Sequence, residues 1–577
     1  MDSIDKPIRV CVHRGMSIYN LSELENDCSR STAPLCVIGA GIAGLLFARR
    51  VAKKGQRVIV VESGYASYDP AIHALNEIED PAERYSRALT GRYRGLGGTS
   101  SRWGGRMIPI GKHETEARPY LQQQRWPIAV DPLESYHDEI EKIFKVGDGP
   151  FRGNVISDEI TSKYFPVEDK SLLNRWAKVP SFKNCNVFTL LKDELKELEN
   201  IEIWLGATVC EFKLDRAGGR LSGIVARNFS GKQLEVSADR FVIAAGTIET
   251  TRLLLLMNAA SDDNAFRSCR VLGRYFQDHL KSEVATINRR NPSLTNRIFG
   301  YRFLNATRRD LHLELTETAQ RGDAVASAFA YVAMDLTESP LGYIKKLAHG
   351  IQKRQVDPND LWQASKNMGL VARSAYWRYL RKQLFVPASI DLHLMVCAEQ
   401  LPQWSNHIRL ADKRDRFGVP KAQLEWAPTQ TDERTFRSAI SHIAGYWERS
   451  GMDRVCPLEW SPASSDPALP IIDNAEACAH PSGSTRMGTD PAESVVGPDL
   501  RCHAVPNVSV VSASVFPTAG SANPTFTIMK LALWLADSHL QGAPRREHAF
   551  VPSEITGSVV SSHEVPAPVA RDQFGAA

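Results

Sequence analysis

The segment from Leu35 to Glu62 constrains this chain more than any other. Leu35-Cys36-Val37-Ile38 is an apolar run, Gly39-Ala40-Gly41-Ile42-Ala43-Gly44 follows directly, and a helix-periodic stretch runs from Ile42 to Lys54. Gly55 stops that pattern, and Arg57 to Val61 is a second apolar run closed by Glu62. The order predicts strand, tight turn, helix and strand. Each glycine of the motif then has a mechanical task. Gly39 makes the turn, Gly41 lets the backbone approach a pyrophosphate, and Gly44 lets the helix pack close to the sheet. The helix start offers free N–H groups and its positive end to phosphates. Glu62 stands where a carboxylate accepts hydrogen bonds from ribose hydroxyls and disfavours a 2′-phosphate, which argues against NADP. A purely structural βαβ unit is the alternative, and the motif alone does not separate NAD from FAD.

The 577 residues are 43% hydrophobic and 24% charged, a globular profile that excludes a disordered, collagen-like or fibrous chain. A chain of this length buries a core without help from disulfides or metals. With 70 basic against 66 acidic residues, the formal charge of +4 points to no nucleic-acid partner. Ten cysteines include no C-x-x-C pair and match neither a disulfide framework nor a zinc site, so no metal is expected and a reducing compartment suits them. The most apolar N-terminal run, residues 35–48, is too short to span a membrane and lacks a convincing cleavage site. The expectation is a soluble, cytoplasmic protein.

Three further segments carry chemistry. Gly95-Leu96-Gly97-Gly98-Thr99-Ser100-Ser101-Arg102-Trp103-Gly104-Gly105 is glycine-dense yet holds a tryptophan and small hydroxyls, a composition that can wrap closely around a ligand. Phe241 to Gly246 reads as a buried strand ending in a turn, with Thr247 to Arg252 opening a helix; an ordinary strand–helix connection is the plain alternative. Near the C-terminus, His480 lies in the glycine- and hydroxyl-rich loop Ala479 to Gly488, and a strand at Val508–Val511 leads to Phe516–Pro524 and an apolar helix over Thr525–Leu540. Pro524 suits the first helical position, with Asn523 at or beside the cap. That helix start favours a ligand edge that becomes anionic, as the N1/O2 edge of a reduced flavin does. Taken locally, His480 also reads as a structural histidine and Asn523 as a plain cap.

Together these stretches resemble the glucose–methanol–choline (GMC) oxidoreductase family, which binds FAD. The matching runs are GAGIAG with Glu62, GLGGTSSRWGG, RWPI at Arg125–Ile128, VIAAGTIET, GRYFQDH at Gly273–His279, HPSGSTRMG and VFPTAGSANPTFT, in family order along nearly the whole chain. In motif they are closest to the pyranose oxidase and sugar or polyol dehydrogenase branch. The resemblance implies an α/β fold: a Rossmann-like FAD-binding domain from residues 34–275 and 466–540, with an inserted substrate domain over 276–465 built on an antiparallel sheet. Strand-like runs at Ser389–Cys397 and His407–Leu410 suggest that sheet. Residues 1–33 are read as an N-terminal extension and 541–577 as a flexible tail.

The resemblance further implies that the cofactor is held by Gly39, Gly41, Gly44 and Glu62, by Gly97, Gly98, Thr99, Ser100, Trp103 and Gly104, by Val209, Ala245 and Gly246, and by Ser514, Asn523, Pro524 and Thr525. The family's active pair falls on His480 and Asn523. His480 takes the hydroxyl proton of an alcohol, probed as a sugar, glycoside or polyol, while hydride passes to flavin N5; Asn523 holds the alcohol oxygen. A histidine suits this task because its ordinary pKa of about 6.5 leaves it largely neutral at working pH. Three departures matter. The histidine that carries a covalent flavin in some relatives is Arg102 here, so noncovalent FAD is expected. The family's usual acid in the V-D-A-S stretch is Ser512, and residues 280–465 offer no usable similarity. An FAD-containing lyase without net redox and a noncatalytic flavin-binding protein are the alternatives, and the electron acceptor stays open.

One stretch stands apart. Lys345 to Phe385 holds Lys345, Lys346, Lys353, Arg354, Lys366, Arg373, Arg378, Arg381 and Lys382 against Asp357 and Asp360, interleaved with Trp362, Tyr376, Trp377 and Tyr379. A contact with an anionic membrane surface is one reading. A solvated helical face with its aromatics turned inward is the favoured one.

Overall fold

The computed structural model describes residues 17–542, apart from 154, 157, 167–168, 216–218, 335–357, 360–361 and 363–367. Its first sheet grows from the segment read above. Leu35–Ile38 and Val58–Val61 pair in parallel, Leu35 opposite Val58 and Ile38 opposite Val61. Cys28–Ile38 also pairs in parallel with Gln233–Ile243, which in turn takes Val508–Val510 as a parallel neighbour. Leu35–Ile38, Val58–Val61 and 241–243 are covered on both faces, which is why these stretches are continuous apolar runs rather than alternations. Ile201–Leu205 and Ser17–Asn20 extend the sheet on one side, and Leu221–Arg227 and Thr208–Leu214 close the other side in antiparallel fashion.

The extension expected over residues 1–33 does not hold for its described part. Ser17–Asn20 is the edge strand of this sheet, and the central strand begins at Cys28, not Leu35. Residues 28–34 alternate between exposed positions and half-buried or buried ones, so the apolar-run signal sees only the fully buried end of the strand. The helix Ile42–Lys53 and the helix Thr525–Leu540 form where expected and pack against each other.

The second sheet is antiparallel in the order Arg302–Leu304, Thr307–Leu315, Ala328–Ala333, His393–Glu399, His279–Ile287 and Leu458–Trp460. Leu172–Val179 pairs with Thr307–Leu315, and Glu476–Ala477 with His279–Ile287. Residues 34–275 and 466–540 therefore each lend a strand to this sheet, which departs from the expected division of the chain. His407–Arg414 departs too, since it forms a separate hairpin with Pro420–Glu425 outside both sheets. Helix Gln430–Ser450 covers the sheet through Phe436, Ala439, Ile443, Tyr446 and Trp447, a helical spacing that makes one apolar stripe. Its start is closed by a capping box in which Asp432 accepts the Thr429 N–H at 2.6 Å. No helix among the described residues is long and apolar enough to cross a membrane. The tail from residue 543 onward lies outside the described residues.

Candidate active site

A cleft of about 1360 Å³, counted with the space open to solvent, lies over the carboxyl ends of the first sheet's strands. Its floor is the glycine turn. Gly39 has φ +108°, and its N–H donates to Val61 O at 2.8 Å. A Cβ on Gly39 would sit 2.7 Å from Ala244 O, and one on Gly44 would sit 2.0 Å from Gly39 O. Glycine at these two positions is therefore what lets helix Ile42–Lys53 approach the sheet. Gly41 opens onto the cleft. Glu62 is buried at the cleft wall, where its two oxygens accept the N–H groups of Ala40 and Gly64 at 2.8 Å each. Burial raises its carboxyl above the usual range. Glu62 thus locks the turn while lining the cleft, where a carboxylate can accept from a ribose.

The second glycine segment presses on the first. Gly97 and Gly98 have φ +91° and +56°, and a Cβ on Gly98 would lie 2.8 Å from Gly41 Cα. Ser100 Oγ donates to Gly97 O at 2.5 Å and accepts the Val187 N–H at 3.0 Å, while Trp103 Nε1 donates to Cys185 O at 3.1 Å. Gly98, Thr99, Ser100 and Trp103 line the cleft, as do Val209, Ala245, Gly246, Pro524 and Thr525. Five expected contacts are not part of that lining. Gly44 serves packing, Gly97 faces Asn186, and Gly104 lies off the cleft. Ser514 points backward, bonding Ser512 Oγ and Thr485 Oγ1 at 2.6 Å each, and Ser512 lines the cleft in its stead. Asn523 is the fifth; its side chain makes no cap bond and turns to His480 instead.

His480 lines the cleft and stands at the centre of a directed hydrogen-bond chain. Asn523 Nδ2 is 3.1 Å from His480 Nε2, His480 Nδ1 is 2.8 Å from His279 Nδ1, and His279 Nε2 is 2.7 Å from Gly520 O. A carbonyl only accepts, so His279 Nε2 carries the hydrogen, and its Nδ1 must be the acceptor in the neutral ring. His480 Nδ1 then donates, which leaves a lone pair on His480 Nε2 facing the Asn523 amide. Burial first, then the electrostatic cost of a second cation beside His279 and Arg106, holds the His480 imidazole well below its ordinary pKa. Burial lowers His279 as well. The His480 N–H donates to Asp278 Oδ1 at 2.8 Å, and Tyr85 OH donates to Asp278 Oδ2 at 2.7 Å; burial pushes that carboxyl up to about 7. Asn523 Oδ1 finds no partner among the described residues. The site thus offers one base lone pair, one amide N–H and one open acceptor side by side.

Residues 402–532 match the family described as GMC oxidoreductase. The chain is 27% identical to 2-methyl-1,2-propanediol dehydrogenase of Mycolicibacterium austroafricanum over 53% of its own length, and spans about half (49%) of that relative. It is 23% identical to 6'''-hydroxyparomomycin C oxidase of Streptomyces lividus over 89% of its length and 95% of that protein. A solved formate oxidase of Aspergillus oryzae shares the fold with a TM-score of 0.55 at 16% identity, covering 90% of this chain and 99% of that one. In residues 402–532 the chain is similar to the GMC oxidoreductases. Its mainly parallel sheet and its antiparallel sheet together make the α/β fold shared with the formate oxidase.

In this chain two buried carboxylates hold the loop that bears Asn523. Glu114 accepts the N–H and the hydroxyl of Ser521 at 2.6 and 2.9 Å. Glu399 accepts the Gly520 N–H at 3.0 Å and is itself clamped by both terminal nitrogens of Arg118 at 2.6 and 2.7 Å, with Arg118 and Glu399 both buried. Gly520 has φ +60°, and a Cβ there would meet the Glu114 carboxyl carbon at 2.9 Å. Neither carboxylate was legible as a site residue, because each acts through contacts to residues far along the chain. The roles of His279, Arg92, Tyr93 and Arg94 escape sequence reading for the same reason, although the last three line the cleft and Arg94 pairs with Glu249 at 2.9 Å. Arg102, at the position of the covalent histidine in some relatives, places its guanidinium carbon 4.8 Å from the centroids of Tyr68 and Tyr93.

Proposed function

We propose that this protein oxidises a CH–OH group of a sugar, glycoside or polyol, with FAD held noncovalently in the glycine-lined cleft. The observation that carries this reading is the unprotonated Nε2 of His480, aimed into a site shared with the Asn523 amide. The named activities of the two curated relatives, a diol dehydrogenase and an aminoglycoside oxidase, support the same class of substrate. The cleft fits the cofactor: Gly39, Gly41 and the start of helix Ile42–Lys53 receive the pyrophosphate, Glu62 the ribose, and the wall formed by Trp103, Pro524 and Thr525 the ring system. When bound, FAD supplies the two-electron acceptor for hydride leaving the carbinol carbon.

The chain's own residues do the remaining work. His480 Nε2 takes the hydroxyl proton and becomes imidazolium, its Nδ1–H still donating to His279. Asn523 holds the alcohol oxygen by an amide N–H. His279 and the Gly520 carbonyl keep His480 in the one tautomer that leaves Nε2 unprotonated. Arg102 cannot form the histidyl bond to a flavin, so the cofactor comes away when the protein is denatured.

The test is anaerobic addition of a panel of sugars, glycosides and polyols to the purified flavoprotein, read as loss of flavin absorbance. Bleaching by a member of the panel is expected, with the ketone or aldehyde as product. Product formed without bleaching would reassign the site to a lyase. Colourless protein after reconstitution with FAD would contradict the reading altogether.

A further inference from the structure

Helix Met368–Tyr379 hangs on the edge of the second sheet. Trp377 is buried, and the Arg378 guanidinium carbon lies 3.6 Å from the centroid of Phe303 on the edge strand Arg302–Leu304. Just past the helix, the Phe303 N–H donates to Lys382 O at 2.8 Å and the Gln383 N–H to Trp377 O at 3.0 Å, which fixes the helix end against that edge. The expectation that the aromatics of this stretch turn inward holds for Trp377 but not for its neighbours. Tyr376 and Tyr379 are 45% and 69% exposed, Met368 is 63% exposed, and Leu380, one residue beyond the helix, is 73% exposed. At 3.6 residues per turn Met368, Tyr376 and Tyr379 share one face. These four make up four of the ten large exposed hydrophobics among the described residues, gathered within 13 positions, while most of the others are scattered singly. Scattered apolar residues need no explanation; a contiguous patch does.

The fringe of the patch is cationic. Arg373, Arg381 and Lys382 are exposed around it, and none of them pairs with a carboxylate among the described residues. Arg381 instead donates from Nε to Tyr376 OH at 3.2 Å, and Arg373 lies over the Phe385 ring. In sequence, residues 361–390 hold five Lys or Arg and no Asp or Glu, in a chain whose overall charge is nearly balanced. Most of the basic residues upstream, Lys345 to Arg354, and Lys366 lie outside the described residues.

We propose that this face docks on the surface of an anionic lipid bilayer. The tyrosine rings are apolar bodies with a polar tip, the form that settles at the headgroup level, and Leu380 and Met368 supply the apolar part that enters the acyl boundary. Arg373, Arg381 and Lys382 meet the lipid phosphates and carboxylates. A second copy of the chain fits this face poorly. Two-fold pairing would set each cation against its own kind, with no acid in the patch to offset it. The inference stands independently of the reaction assigned to the cleft.

The test is co-sedimentation of the intact flavoprotein with vesicles of phosphatidylcholine alone and of phosphatidylcholine mixed with phosphatidylserine. Binding to the mixed vesicles only, reversed by salt, is expected. The double variant Arg381→Gln/Lys382→Gln should weaken that binding about fivefold for each charge removed, and Tyr379→Ser/Leu380→Ser should abolish most of it. Retained flavin absorbance and an unchanged melting temperature show that the variants are folded. Equal binding to both vesicle types, or binding unaffected in the folded variants, would overturn the proposal. So would concentration-dependent dimerisation that Leu380→Ser removes, because the face would then belong to a second copy.

Discussion

His279 donates to the Gly520 carbonyl and accepts from His480, and that pairing decides which nitrogen of His480 is available to a substrate. His279→Leu removes the acceptor for the Nδ1–H and leaves the tautomer undefined. Flavin reduction in that variant should slow about 10- to 100-fold, the range known for partners that orient metal-bound imidazoles by the same kind of hydrogen bond. His279→Asn, whose Oδ1 can accept near the same point, should recover part of the rate, which a purely structural role for His279 does not explain. The pH dependence follows from the direction of the His480 shift. Its folded-state pKa lies well below the ordinary 6.5, so the base stays neutral through neutral and mildly acid pH. kcat/KM should therefore keep its His480-dependent activity as pH drops past 6.5 and lose it only as pH falls through the lowered value. Stability moves with the same sign: the unfolded chain binds the proton first, so this group weakens the fold as pH falls below about 6.5. His480 and Asn523 were legible from their loop motifs, since both lie within short, characteristic runs. His279 was equally visible as the end of GRYFQDH, but its role depends on a contact 201 residues away.

Strands and helices were legible where a period carried them. The helix Thr525–Leu540 and the turn between Ile38 and Ile42 formed as their apolar spacing and glycines require. The strand Cys28–Ile38 was half hidden because its first residues are partly solvent-facing, and Leu172–Val179 was hidden because no local signal says which sheet a strand joins. The loop from Pro517 to Asn523 has no regular structure of its own and is shaped by Glu114 and Glu399. Arg118→Ala would leave Glu399 buried without its partner. Breaking a buried ion pair on one side costs about 3–5 kcal/mol, so the variant's denaturant midpoint should drop steeply. A midpoint close to that of the parent protein would show that the Arg118–Glu399 pair does not brace this loop.

At the scale of the whole molecule, the first sheet supplies the glycine turn and Glu62, and the second brings in His279. Asn523 and His480 arrive on loops between them. The family likeness follows those motifs along the chain, whereas residues 280–465, which build most of the second sheet, carried no usable pattern and were set by pairing alone. The central claim is that His480 Nε2 receives the alcohol proton at the cleft. Its most direct test is the rate of anaerobic flavin reduction by a bleaching substrate, measured in single turnover for the parent protein and His480→Ala. A loss of about 10²-fold or more with FAD still bound is expected. An unchanged reduction rate in an FAD-saturated His480→Ala protein would contradict it.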